Sequence, residues 1–129
     1  MSIYFNKVQR KNPRDPSAPM LWYAVLKSLG LKREKEISIL AADGTTLDPK
    51  EVEMAFSRFG KVMLRMLLDG HTVQIAGLGT FRLTASSEGT ATKEELTARN
   101  IKGVKLIFVP YEEVKDALKG ANIVDFERL

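Results

Sequence analysis

Between Asp48 and Gly70, Val52, Phe56, Phe59, Met63 and Met66 recur at spacings of three and four, with Leu67 beside the last. That period lays them along one side of an α-helix. Asp48 marks the start, because its carboxylate can accept from the orphan amides of a first turn. Pro49 fits the next position, where no donor is needed, and Glu51 stands three residues after the cap. Gly70 is the natural stop. A helix near twenty residues is about 30 Å long. In a chain of 129 residues such a stripe has two outlets. It packs within its own chain, or it meets a partner chain.

The flanking segments are read by period and punctuation. Residues 3–10 are rich in β-branched and aromatic types and read as a strand. Pro13, Pro16 and Pro19 make the next segment a loop. Residues 21–28 fit a strand, with Leu21, Tyr23 and Val25 on one face, or a helix, with Leu21, Val25 and Leu29 together. We take the short strand, ending before Gly30, with Trp22 and Tyr23 as core. Residues 32–42 combine helix formers with Ile37, Leu40 and Ala41, and Asp43-Gly44 turns the chain. After Gly70 the period drops to two. Val73 and Ile75 share one run, Phe81 and Leu83 another, and Gly77 and Gly79 permit a tight turn between them. Residues 86–100 are a polar excursion in which Thr92 and Glu95 could open a helical turn. Residues 101–109 return as a strand ended by Pro110, a short helix runs to Gly120, and residues 121–129 read as a tail.

Composition narrows the function classes. The chain has no Cys and one His, which excludes disulfides, thiolate metal sites and His-cluster centres within one chain. No apolar run is long enough for a membrane span, and the N-terminus lacks a signal-peptide core, so a cytoplasmic protein is expected. No spacing assembles a catalytic dyad, and Gly77-Leu78-Gly79 lacks the ending of a phosphate loop, so no enzyme and no small-molecule substrate or cofactor is expected. His71, just after the helix stop, reads as a surface residue. The net charge of +4 is unevenly spread. Residues 1–35 hold eight basic groups against two acidic ones, a net of +6, and the remainder carries −2. A basic segment of this kind suits nucleic acid or a solvated surface.

The run GHTVQIAGLGTFRL resembles the body hairpin of the bacterial histone-like HU/IHF family through Gly70, Val73, Ile75, Gly77, Leu78, Gly79, Thr80 and Phe81. Pro110 with Val114-Lys115-Asp116-Ala117-Leu118 resembles that family's closing helix, and TTLDPKEVEMAF the start of its dimerising helix. The resemblance covers residues 32–120. It implies an α+β, dimeric HU/IHF-like fold: a helical body, an antiparallel β-sheet saddle and short arms. The organisation it implies is a basic β-rich extension at 1–30, an HU/IHF-like domain at 31–120 and a tail at 121–129, as in an HU-related subgroup with an N-terminal extension. The implied function is nucleoid-associated: a homodimer binding duplex DNA through phosphates, without strong sequence specificity.

The resemblance places Arg82, Thr84, Arg99, Lys102, Lys105 and Lys115 at the DNA, and Val52, Phe56, Phe59, Met63 and Met66 at the dimer interface. The same cations also read as solvated sheet charges. Two departures bear on mechanism. There is no proline between Pro49 and Pro110 to wedge between base steps, and residues 84–103 carry zero net charge. Thr84 and Ser86 stand where the family carries arginines, and Glu112 and Glu113 open the last helix. These favour a competing class, an HU-like dimer that binds protein and has lost most DNA affinity. The cluster Lys7, Arg10, Lys11 and Arg14 could extend a DNA footprint or guard a strand edge.

Overall fold

A computed structural model describes all residues, Met1–Leu129. In chain order the elements are β1 (Ile3–Arg10), β2 (Leu21–Lys27), α1 (Glu34–Ala42), α2 (Pro49–Leu68), β3 (Val73–Ile75), β4 (Gly79–Ser87), β5 (Ile101–Pro110), α3 (Glu112–Lys119) and β6 (Ile123–Asp125). The fold is mixed α+β, as expected. The residues group into two compact units, Arg33–Asp116 and Met1–Lys32 with Ala117–Leu129.

In the larger unit, α2 starts as its sequence dictates. The Asp48 carboxylate accepts from the Lys50 amide at 2.8 Å and Pro49 opens the helix. Helix α1 begins with the Arg33 amide donating to Glu36 at 3.1 Å. The two helices pack through small and apolar residues: Ser38, Ala42 and Leu67 are buried. The buried Ser38 hydroxyl is satisfied by the Glu34 carbonyl one turn back. The sheet runs β3-β4-β5, all antiparallel. Residues Ile75–Leu78 form its first turn, with Gly77 at φ 81°, the third-position geometry of a type II turn. The Tyr111 amide donates to the Leu78 carbonyl at 3.0 Å, tying that turn to the start of α3.

In the smaller unit, β1 lies between β2, antiparallel, and β6, parallel. Residues 121–129, expected to trail as a tail, instead supply β6 and a final helical turn. The Ile3 amide donates to the Asn122 carbonyl at 2.9 Å, and Lys7 pairs with Asp125 at 3.2 Å. Phe126 packs edge-on to Tyr4, with 6.1 Å between centroids, and the Lys27 ammonium lies 4.7 Å from the centre of the Phe126 ring. The strand reading of 21–28 holds, but Trp22 and Tyr23 are not core. They are 67% and 47% exposed, because three short strands bury little of either sheet face. Between Thr92 and Leu96, where a turn is expected, the Leu96 amide donates to the Lys93 carbonyl at 3.2 Å and closes a single turn. The helical turn of the excursion is Ala98–Asn100, where the Thr97 amide donates to the Asn100 side chain at 2.9 Å.

One quantity dominates the packing. A folded monomer of 14.4 kDa exposes about 6,800 Å². This chain exposes 11162 Å². Two separate bodies of the sizes of its units would together expose about 8,200 Å². Division into units therefore leaves about 3,000 Å² unexplained. Phe56, Phe59 and Met66 on α2 and Val104, Leu106 and Phe108 on β5 are among the apolar side chains left open.

Candidate nucleic-acid interface

The two faces of the β3-β4-β5 sheet differ in chemistry, and the register shows how. Phe81 pairs with Phe108, Leu83 with Leu106 and Ala85 with Val104. Val73 continues that apolar face beside Phe81, whose ring lies 4.8 Å from that of Phe108. The alternate positions make the opposite face. Arg82 pairs with Ile107, Thr84 with Lys105, and Gln74 with Thr80. Arg82 and Lys105 are thus diagonal neighbours on this face, which Ile107 and Val109 share; both cations are exposed and neither is in an ion pair.

A bulge brings Lys102 to the same face. Strict alternation would put residues 102 and 105 on opposite sides. Between Ala85 and Ser86 the register shifts, so that Ala85 faces Val104 while Ser86 faces Lys102. Gly103 is the extra residue, at φ 56°, the left-handed conformation such a bulge uses. The Ser86 hydroxyl donates to the Lys102 carbonyl at 3.0 Å and holds the offset. Lys102, Lys105, Arg82, Thr84 and Ser86 therefore share one surface. The sequence signal for it was the glycine inside a strand pattern. Gln74 and Ser86 lie on this face as their positions in the sequence suggest, and Thr80 belongs to it without having been singled out.

The other expected contacts stand apart. Arg99 is exposed on the helical turn at the far end of the excursion, with no ion pair. Lys115 lies on α3, not on the sheet. Two of the six positions carry counter-charges: Lys102 is 3.4 Å from Glu88, and Lys115 is 3.6 Å from Glu112. Both pairs are largely exposed, where such pairs are weak. Of the residues expected at a dimer interface, Val52 and Met63 are half-buried and Phe56, Phe59 and Met66 are exposed.

The family HU-HIG, described as an HU domain fused to a wHTH, Ig or glycine-rich motif, matches residues 1–127. This chain belongs to the HU-HIG family. HU-HIG is an HU-related family and not an enzyme class. Among solved structures, the chain is similar to a Bacteroides vulgatus protein described as a bacterial DNA-binding protein, at 13% identity and a TM-score of 0.63. That match covers 97% of this HU-HIG chain and 48% of the other, so the chain spans about half the length of that protein. It is also similar to Anabaena HU in a cocrystal with DNA, at 11% identity and a TM-score of 0.50, over 67% of this chain and 97% of that one. These likenesses show that the HU-HIG chain has an HU-like fold. No curated protein matches the chain. No helix is long and apolar enough to cross a membrane.

Proposed function

We propose that this HU-HIG chain is a histone-like protein that binds duplex DNA as a homodimer, acting on the nucleoid without strong sequence preference. The observation that carries the reading is the two-sided β4–β5 ladder. One face is apolar and available to a partner. The other gathers Arg82, Lys102 and Lys105 with the hydroxyls of Thr84 and Ser86. Arg99 and Lys115 would add contacts from the excursion and from α3. Guanidinium, ammonium and hydroxyl donors match phosphate oxygens, and such contacts set position without reading bases. Membership of an HU-related family and the HU–DNA cocrystal among similar folds support the choice of partner. The Val52–Met66 stripe and the excess exposed surface support the homodimer.

Two or three contacts per chain from these residues neutralise roughly four to six phosphates in a dimer, and so contribute about −4 to −5 to the slope of log K against log[salt]. Replacing Arg82 and Lys105 by Gln removes four of these contacts and flattens the slope by about three to four. The loss is the same on all sequences. Fluorescence anisotropy of random duplexes between ~50 and 200 mM salt measures this. The ion pairs Lys102–Glu88 and Lys115–Glu112 favour a second reading, an HU-like dimer that binds protein. Absence of duplex binding by the wild-type chain at ~50 mM salt would select it.

A further inference from the structure

The basic excess of the N-terminal segment sorts into two groups. Five cations lie in residues 1–27. Lys7 is committed to Asp125 at 3.2 Å, and Lys27 stands over the Phe126 ring at 4.7 Å. These two hold the unit together. Arg10, Lys11 and Arg14 have no acidic partner and are all exposed. They sit together where β1 leaves the sheet.

The acid next to them in the chain forms no ion pair with them. Asp15 is turned back into its own loop, accepting from the Ser17 hydroxyl at 2.6 Å and the Ser17 amide at 3.1 Å. These bonds hold its carboxyl below the usual range, so it stays ionised and occupied. The loop is braced as well as charged. The Arg14 amide donates to the Asn12 side chain at 2.9 Å, the Ala18 amide to the Asp15 carbonyl at 3.1 Å, and prolines at 13, 16 and 19 fix φ. A cleft of about 440 Å³ opens there, with Arg10 and Lys11 on its wall beside Pro13, Pro19, Leu21 and Tyr23.

Guarding a strand edge does not account for this cluster. The β1–β2 ladder ends at the pair Arg10 and Leu21, so Lys11 and Arg14 lie beyond any strand that could be paired. Three cations on a braced loop, against the single carboxylate of Asp15, leave a net positive charge that an anion bearing several closely spaced charges would match. Duplex DNA presents one phosphate per ≈ 1.7 Å of axis.

We propose that the end of the β1–β2 hairpin is a second DNA-backbone contact, separate from the β4–β5 face, with Arg10, Lys11 and Arg14 each reaching a phosphate. It rests on the reading of duplex DNA as partner. It assigns this family's extension a binding role of its own.

The test uses the full chain with Arg10, Lys11 and Arg14 all changed to Gln, and a duplex of ~40 base pairs titrated from ~50 to 200 mM salt. The expected result is a salt slope flattened by roughly two to three per chain and an affinity at least tenfold weaker at the lowest salt. The variant Arg10→Lys with Arg14→Lys keeps the charge and the wild-type slope. If the triple variant melts early, Lys11→Gln with Arg14→Gln, both outside the ladder, carries the test with a slope change of roughly two per chain. An unchanged slope in a folded variant overturns the proposal. So does a loss confined to binding of a polyglutamate peptide with duplex affinity intact. Arg82→Gln with Lys105→Gln, run in parallel, separates the two sites. A slope flattened by the sheet variant alone removes the hairpin site and leaves the sheet reading standing. One flattened by the hairpin variant alone does the reverse.

Discussion

Gly79 lies hard against the strand beside it. A Cβ built there would collide with the Val109 carbonyl oxygen and lie 2.8 Å from the Pro110 Cα and 2.9 Å from the Phe108 ring. Backbone atoms cannot yield as a side chain would, so Gly79→Val is expected to cost about 3 kcal/mol, from strain and overpacking together. Gly77→Ala is the control. Its Cβ meets nothing within 4 Å, and only the φ of 81° opposes it, a cost of about 1 kcal/mol. Urea unfolding of the two variants measures the difference, and equal midpoints would contradict this account. Asp125 belongs to the smaller unit. Burial alone would raise its carboxyl pKa. The Lys7 hydrogen bond, the Glu127 amide and the charges of Lys7 and Arg128 outweigh that and hold it below the usual range. A depressed carboxyl adds stability above its unfolded pKa, about 3.9, and loses it as the pH falls through the folded value. Asp125→Asn should therefore lower the melting temperature at pH 7, and the gap to wild type should close below about pH 4.

Among the elements, β6 has the largest effect for its length. Its three residues pair Ile3 with Ile123, Tyr4 with Val124 and Phe5 with Asp125, and so make β1 a central strand over that stretch. The same segment brings Asn122 to Ser2 at 2.7 Å and Phe126 to Tyr4. Ending the chain at Gly120 removes all of these. Amide exchange at Ile3–Phe5 should then accelerate roughly tenfold or more, while β4 and β5 keep their protection. Mass-resolved hydrogen exchange would show it, and uniform protection after truncation would mean that the β1–β2 hairpin stands alone. Helix α2 and strands β4 and β5 were legible because each carries its own period, 3.6 or 2, over many residues. A three-residue strand has no period to read, and its partner lies at the other end of the chain.

For the whole molecule the controlling quantity is exposed area. Obligate interfaces bury 2,000–5,000 Å² across both partners. The excess of about 3,000 Å² per chain is enough for one. The open side chains of α2 and of the apolar sheet face are the material for it. A homodimer predicts a melting temperature that rises with protein concentration, since association stabilises by mass action. Phe59→Asp would place a carboxylate in the covered stripe at a cost of several kcal/mol and release unfolded or monomeric chains. Sedimentation at micromolar concentration checks both, and a folded wild-type monomer there would remove the dimer from the proposal. On DNA, a chain with no proline between Pro49 and Pro110 has no such wedge to open a base step, so energy-transfer measurements should report less bending than a wedge-bearing HU produces.

The amino-acid sequence alone determined the long capped helix from Asp48, the glycine-spaced hairpin, the opposition of Arg82 and Lys105 to Phe81 and Phe108, and the resemblance that family membership bears out. All of these are local: a cap, a period or a short motif is complete within a few turns or one hairpin. Tertiary structure decided the rest. The bulge at Gly103 carries Lys102 to the face of Lys105 against the alternation of the strand. Glu88, across the hairpin from Lys102, sets a counter-charge beside that expected contact. The C-terminal residues leave the domain they follow in sequence and close a sheet with the N-terminus. Trp22 stays in solvent although its composition suits a core. Each of these depends on hydrogen-bond register or on which surface finds a cover, and both are properties of segments far apart in the chain.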